Sequence, residues 1–107
     1  MSESMTASQF GRAVAKGRGV QPETLILRAV KQMLEAHGWW VVRIQQGLGA
    51  HKGIADLVAM KRGRTVWVEV KTASGKLSSH QDRFCESVLH AGGEYVVARC
   101  VGDVEHL

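Results

Sequence analysis

Asp56, Glu69 and Lys71 lie on two short apolar stretches, Gly53-Ile54-Ala55-Asp56-Leu57-Val58-Ala59-Met60 and Thr65-Val66-Trp67-Val68-Glu69-Val70-Lys71, where a core would ordinarily exclude charge. Side chains of a strand alternate between its faces, so Val66, Val68 and Val70 share one face and Trp67, Glu69 and Lys71 the other. An acid and a base thus stand side by side. Burying charge is costly unless it is paired or bound to metal, so a carboxylate on each of two neighbouring strands suggests a divalent-cation site. Oxygen donors favour magnesium or manganese over zinc. The plainer alternative is a Glu69–Lys71 surface pair with Asp56 as a turn acid; such exposed pairs are common and contribute at most about 1 kcal/mol.

The elements that would position these residues can be read from hydrophobic periodicity and turn chemistry. Pro22 at a first helical position and Gly38 just past the end frame a helix of about four turns. Its buried stripe is Ile26, Ala29, Val30, Met33 and Leu34. Glu23 lies one turn before that stripe, with two open roles: facing the core edge, or favouring the helix N-terminus electrostatically. Residues 39–45 read as a first strand and residues 46–53 as a glycine-rich loop that lacks the ending of a phosphate-binding P-loop. Residues 54–60 and 65–71 form a hairpin about the basic turn Lys61-Arg62-Gly63-Arg64, and antiparallel pairing brings Asp56 and Glu69 to the same end. A second helix starts at Ser78 or Ser79, since Ser78-x-x-Gln81 and Ser79-x-x-Asp82 both resemble capping boxes. Phe84, Cys85, Val88 and Leu89 form its expected buried stripe, with Gln81 one turn earlier. Gly92-Gly93 ends it, residues 94–100 form a fourth strand, and the tail adds a short helix or edge segment.

The chain of 107 residues carries a formal charge of +4 and a pI near 9.4, which points to a polyanionic partner more than to an acidic or membrane one. Its length suits one domain, expected over residues 22–107, preceded by a basic, flexible arm over residues 1–21. In that arm Arg12, Lys16 and Arg18 accompany a brief apolar patch at Phe10, Ala13 and Val14. Cys85 and Cys100 fit neither a disulfide framework nor a zinc spacing, so a reducing cytoplasm is expected. No long apolar run indicates export or membrane insertion.

Glu23, Lys52-Gly53-x-x-Asp56, Glu69-Val70-Lys71 and Leu77-Ser78-x-x-Gln81, in this order and on these elements, resemble the VRR-NUC family of virus-type replication and repair nucleases, within the PD-(D/E)xK nuclease superfamily. The likeness spans about residues 22–103. One departure is Ala55, where the family usually has proline before the aspartate. The resemblance implies an α/β, restriction-endonuclease-like αβββαβ core with a mixed central sheet flanked by helices. It implies that Asp56 and Glu69 ligate the cation, that the Val70 carbonyl adds a ligand, and that Glu23 joins directly or through a bound water. Lys71 would orient or help deprotonate the attacking water, and Gln81 would position that water or the strand backbone. It also implies a phage or prophage origin.

Phosphodiester hydrolysis needs an activated water, a screened phosphate oxygen and a stabilised leaving alkoxide, all of which such a site provides. The expected function is a magnesium- or manganese-dependent, structure-specific endonuclease of branched or junction DNA. DNA would be held through its backbone by Lys52, Arg62, Arg64, Lys76 and His51, without base reading. A small chain suggests a homodimer making symmetric cuts, with the Trp39, Trp40 and Trp67 neighbourhood a candidate interface and core packing an equal explanation of those tryptophans. Three other readings are an archaeal-type Holliday-junction resolvase or a restriction-like enzyme, a non-catalytic DNA-binding module of the same fold, and a nucleophile triad from His51, His80, His90, Cys85, Ser78 or Ser79. The last lacks a glycine-flanked nucleophile elbow.

Overall fold

The computed structural model describes residues 21–107; the expected basic arm, with Arg12, Lys16 and Arg18, lies almost wholly outside them. The described residues form α1 (Glu23–Ala36), β1 (Trp40–Arg43), β2 (Leu57–Lys61), β3 (Arg64–Val70), α2 (Ser79–His90), β4 (Glu94–Ala98) and a 3-10 turn (Val101–Val104). The sheet runs β1-β2-β3-β4, antiparallel across its first two pairs and parallel between β3 and β4. This is the expected α/β order and mixed sheet.

α1 forms because its apolar residues recur at helical spacing, and Ile26, Ala29, Val30, Met33 and Leu34 are all buried. Pro22 is its N-cap, in extended conformation, and not its first helical residue. The helix ends at Gly38, whose φ of +90° lets Trp39 N–H donate to Leu34 O at 3.0 Å and Gly38 N–H to Glu35 O at 3.0 Å. That pair of hydrogen bonds reverses the chain and drives Trp39 into the core beside the helix it has just left.

The hairpin turn has only Arg62 (φ 50°) and Gly63 (φ 82°) between paired Lys61 and Arg64. Two left-handed residues match the right-handed twist of the strands, which locks the register. β1, β2 and β4 are shorter than the sequence suggests, and β3 keeps its expected length but begins and ends one residue earlier, so Asp56 sits just ahead of β2 and Lys71 just beyond β3.

The sheet faces differ in kind. Val66, Val68, Val70, Leu57, Ala59 and Val41 pack under α1 with Val101 and Val104 in the apolar core. On the other side lies α2, of which no residue is fully buried. The expected stripe on α2 is therefore corrected: Phe84, Cys85 and Val88 are half-buried, and Leu89 is 55% exposed. A helix lying on one face of a sheet, with no other described element packed outside it, buries only the residues aimed straight down.

Candidate active site

The hairpin register pairs Leu57 with Val68, and one step further out Asp56 meets Glu69. Asp56 is oriented by the backbone, its Oδ2 accepting from Val70 N–H at 2.8 Å. Glu69 is only 2% exposed. Its Oε2 accepts from Gln81 Nε2 at 3.0 Å, and Lys71 Nζ stands 3.8 Å from the same oxygen. Its Oε1 is buried and has no hydrogen-bond partner among the described residues. Burial pushes the Glu69 carboxyl up to about 8; the adjacent Asp56 charge pushes the same way, Lys71 opposes, and Glu23 adds a smaller upward push.

Gln81 reaches Glu69 because it is also part of the helix cap. Ser78 N–H donates to Gln81 Oε1 at 2.9 Å, and Gln81 N–H donates to Ser78 Oγ at 3.2 Å. Of the two possible capping boxes the first is used, and its glutamine presents one end to the helix and the other to the buried acid. Phe84, one turn later, lies edge-on to Trp67 at 5.2 Å and near Tyr95 at 6.2 Å, which pins α2 over the β3 face carrying Glu69. The Tyr95 hydroxyl, buried without a partner among the described residues, is pushed up by burial and by the Glu69 charge.

The glycine-rich loop is docked onto the same helix end. A Cβ at Gly53, whose φ is +77°, would lie 2.1 Å from His80 O and 2.8 Å from Gln81 N, so backbone meets backbone there. Only glycine permits that approach. His51 and Lys52 are thereby held beside α2, the His51 ring 5.7 Å from that of Phe84.

Asp56, Glu69, Lys71 and Gln81 are thus brought together as expected. Glu23 is not: it is exposed, and no group of three acidic, histidine or cysteine side chains among the described residues could share a metal ion. Its position on the first turn of α1 leaves only its charge within reach of Glu69. Lys76 is exposed on the loop before α2. Arg62 and Arg64 sit at the turn, the opposite end of the hairpin from the acids, and Arg64 is engaged by Glu94 through bonds of 2.7 and 3.1 Å. Of the tryptophans, Trp39 is core, Trp67 is half-buried and Trp40 is 64% exposed.

Two supporting residues carry no signal in the sequence. Gln46 Nε2 donates to Ile54 O at 3.0 Å, bracing the segment before Asp56. Arg99 Nη1 donates to Thr72 O and Gly75 O, each at 2.7 Å, holding the loop that follows Lys71. Their acceptors are main-chain carbonyls, which any sequence supplies. A cleft of about 480 Å³ opens beside Asp56, which lines it with Arg43, Ile44, Gln45 and Gln46.

The donor set suits a hard divalent ion. Two carboxylates side by side, one with a buried unpartnered oxygen and disfavoured as an anion, form what magnesium takes from proteins: one or two carboxylates, with water and substrate phosphate completing the shell.

No curated protein matches the chain. Among solved structures, one described as a VRR_NUC domain superposes with a TM-score of 0.69 at 28% identity, covering 79% of this chain and 91% of that one. The sequence model of the archaeal Holliday junction resolvase family matches residues 15–84, a span that includes the acid pair, Lys71 and Gln81. With the hairpin carboxylates, the following lysine and the helix-capping glutamine converging as described, the chain belongs to the archaeal Holliday junction resolvase family of the PD-(D/E)xK nuclease superfamily.

Proposed function

We propose that this structure-specific junction nuclease hydrolyses phosphodiester bonds of branched DNA with a divalent cation, magnesium or manganese, held by Asp56 and Glu69. The observation that carries this reading is the buried Glu69 carboxylate, set beside a second acid with one oxygen unpartnered. Such an arrangement destabilises the protein unless something positive completes it.

When bound, the cation would lower the pKa of a water and screen the scissile phosphate. The Val70 carbonyl is a further candidate ligand, and Glu23 acts at most through its charge or a bridging water. The chain's own groups do the rest. Gln81 holds Glu69 in one orientation, and Val70 N–H does the same for Asp56. Lys71, half-buried beside Glu69, supplies fixed positive charge where the attacking water and the phosphorane-like charge would lie. Lys52, His51 and Lys76 flank the site and would hold the backbone; Arg62 and Arg64, at the far turn, would reach only a second arm.

A C2 homodimer is the assembly best suited to symmetric cuts on a four-way junction. Trp40 and Met60, 64% and 39% exposed and paired across β1 and β2, favour this sheet edge as the contact. Cys85 and Cys100, both free thiols, fit a reducing cytoplasm. The test is incubation with four-way, flapped and linear DNA in magnesium, manganese or EDTA. Cleavage of branched DNA that needs the metal supports the reading, and paired symmetric nicks support the dimer. Binding without metal-dependent cleavage would make the chain a non-catalytic module instead.

A further inference from the structure

Between the glycine-rich loop and the N-terminal half of α2 lies a second cavity of about 270 Å³ lined by His51, Lys52, His80, Arg83, Phe84 and Ser87. Its helix residues fall at positions i, i+3, i+4 and i+7, one face of α2. Its loop residues reach that face because Gly53 rests directly on the His80 carbonyl. Phe84 closes one side, in edge contact with the His51 ring. Every titratable side chain lining the cavity is a base. The acids of α2 point elsewhere: Asp82 and Glu86 flank Cys85, whose thiol is pushed up by burial and by their two charges.

We infer that this cavity is a phosphate-binding site for the DNA substrate, with Lys52 and Arg83 supplying the charge and His51, His80 and Ser87 the additional donors. Arginine presents a fork that matches phosphate oxygens, lysine acts as a point charge, and each imidazole carries an N–H donor in either protonation state. The location suits a phosphate other than the scissile one. His80 precedes Gln81, which holds Glu69, so a strand running from one pocket to the other would be fixed at two points on either side of the α2 N-terminal turn. The ligand is either a diester of the continuous backbone or a terminal phosphomonoester at a strand end. The inference rests on the nuclease reading above and adds His80, Arg83 and Ser87 to the binding surface.

The test uses the full chain and fluorescence anisotropy on four-way and flapped DNA without divalent metal, across a series of salt concentrations. The His80→Ala/Arg83→Ala variant should bind at least about tenfold more weakly, as loss of a charge-assisted contact implies. Its plot of log affinity against log salt should be shallower by about 1, the signature of one lost phosphate contact. Arg28→Ala, an exposed change on α1, should keep the parent's affinity and slope. If the double variant does not fold, as judged by circular dichroism, Arg83→Gln replaces it in the same assay. Flaps bearing a 5′-phosphate or a 5′-hydroxyl separate the sources: a loss confined to the phosphorylated flap identifies a terminal phosphate, and an equal loss on both identifies the backbone. Unchanged affinity and slope, in a parent that binds and cuts with magnesium, would overturn this site alone. A parent that neither binds nor cuts branched DNA would overturn the nuclease reading together with it.

Discussion

At the turn end of the β2–β3 hairpin, Arg64 and Glu94 are exposed and joined by two hydrogen bonds, whereas at the open end Glu69 is buried, faces a second carboxylate and keeps one oxygen unpartnered. The two ends are built from the same strands, so the difference lies in solvent and partners. At the turn, water solvates both ions, and Glu94 is held below the usual carboxylate range by its hydrogen bond to Arg64; such a pair adds little stability. At the open end α2 excludes water, a single lysine at 3.8 Å opposes two acids, and the pair is unfavourable in isolation. Charge that is satisfied at the surface serves solubility and orientation. Charge left unsatisfied under a helix marks a place where a cation and a substrate complete the balance.

Breaking the open end should have the largest effect. Asp56→Asn, Glu69→Gln and Lys71→Ala should each lower cleavage of junction DNA by at least about a thousandfold, the scale of losing a group that stabilises charge in the transition state. Binding to junction DNA in EDTA should persist in all three, and Glu69→Gln should melt no lower than the parent. A parental rate in magnesium for any of these variants would remove that residue from the site.

The same end can be sharpened by pH and metal. The Glu69 carboxyl is raised from an ordinary value of 4.5 to about 8, so the fold prefers its protonated form. Without metal its contribution to stability is full below about 4.5 and is lost as pH rises through about 8. Melting of metal-free protein should therefore decline across that window, and Glu69→Gln should flatten the decline. Magnesium should raise the melting temperature of the parent more at the alkaline side of the window, where the carboxylate is free to bind. A parent whose pH profile matches that of Glu69→Gln would sink this account.

Changes to the supports should be intermediate. Phe84→Ala removes the ring shared by Trp67, Tyr95 and His51 and should cost roughly 3 kcal/mol in urea denaturation, the low end for a large aromatic because Phe84 is only half-buried. Gly53→Ala should lose about 1 to 2 kcal/mol from its left-handed backbone alone. It should slow cleavage more than that figure implies, because the new methyl displaces the loop from α2 and misplaces Asp56. The smallest effect belongs to the turn end: Glu94→Gln should change stability by no more than about 1 kcal/mol. A larger loss there than for Phe84→Ala would reverse the contrast between the two ends.

Much of the site was legible in residue order. The period-two alternation around Glu69, the turn residues Arg62-Gly63 and the capping pattern Ser78-x-x-Gln81 each express a local rule, and local rules survive in any tertiary context that keeps the element. They place Asp56, Glu69, Lys71 and Gln81 without knowledge of the fold. The errors came where burial depends on what lies beyond the element. Leu89 sits at helical spacing with the α2 stripe yet is exposed, because no other described element packs outside that helix. Glu23 sits on the α1 stripe yet faces solvent, because it opens the helix one turn ahead of Ile26, its first buried residue.

By itself, then, the sequence determined the order of elements, the hairpin register and the identity of the charged residues at its open end, since propensity, turn chemistry and alternation act over a few residues. Tertiary structure alone decided which charges are buried, that Glu69 Oε1 is left without a partner, and that Gly53, Gln46 and Arg99 brace the site through main-chain contacts. Those outcomes depend on water being excluded and on carbonyls meeting across 8 to 27 residues of chain, and no local pattern records either.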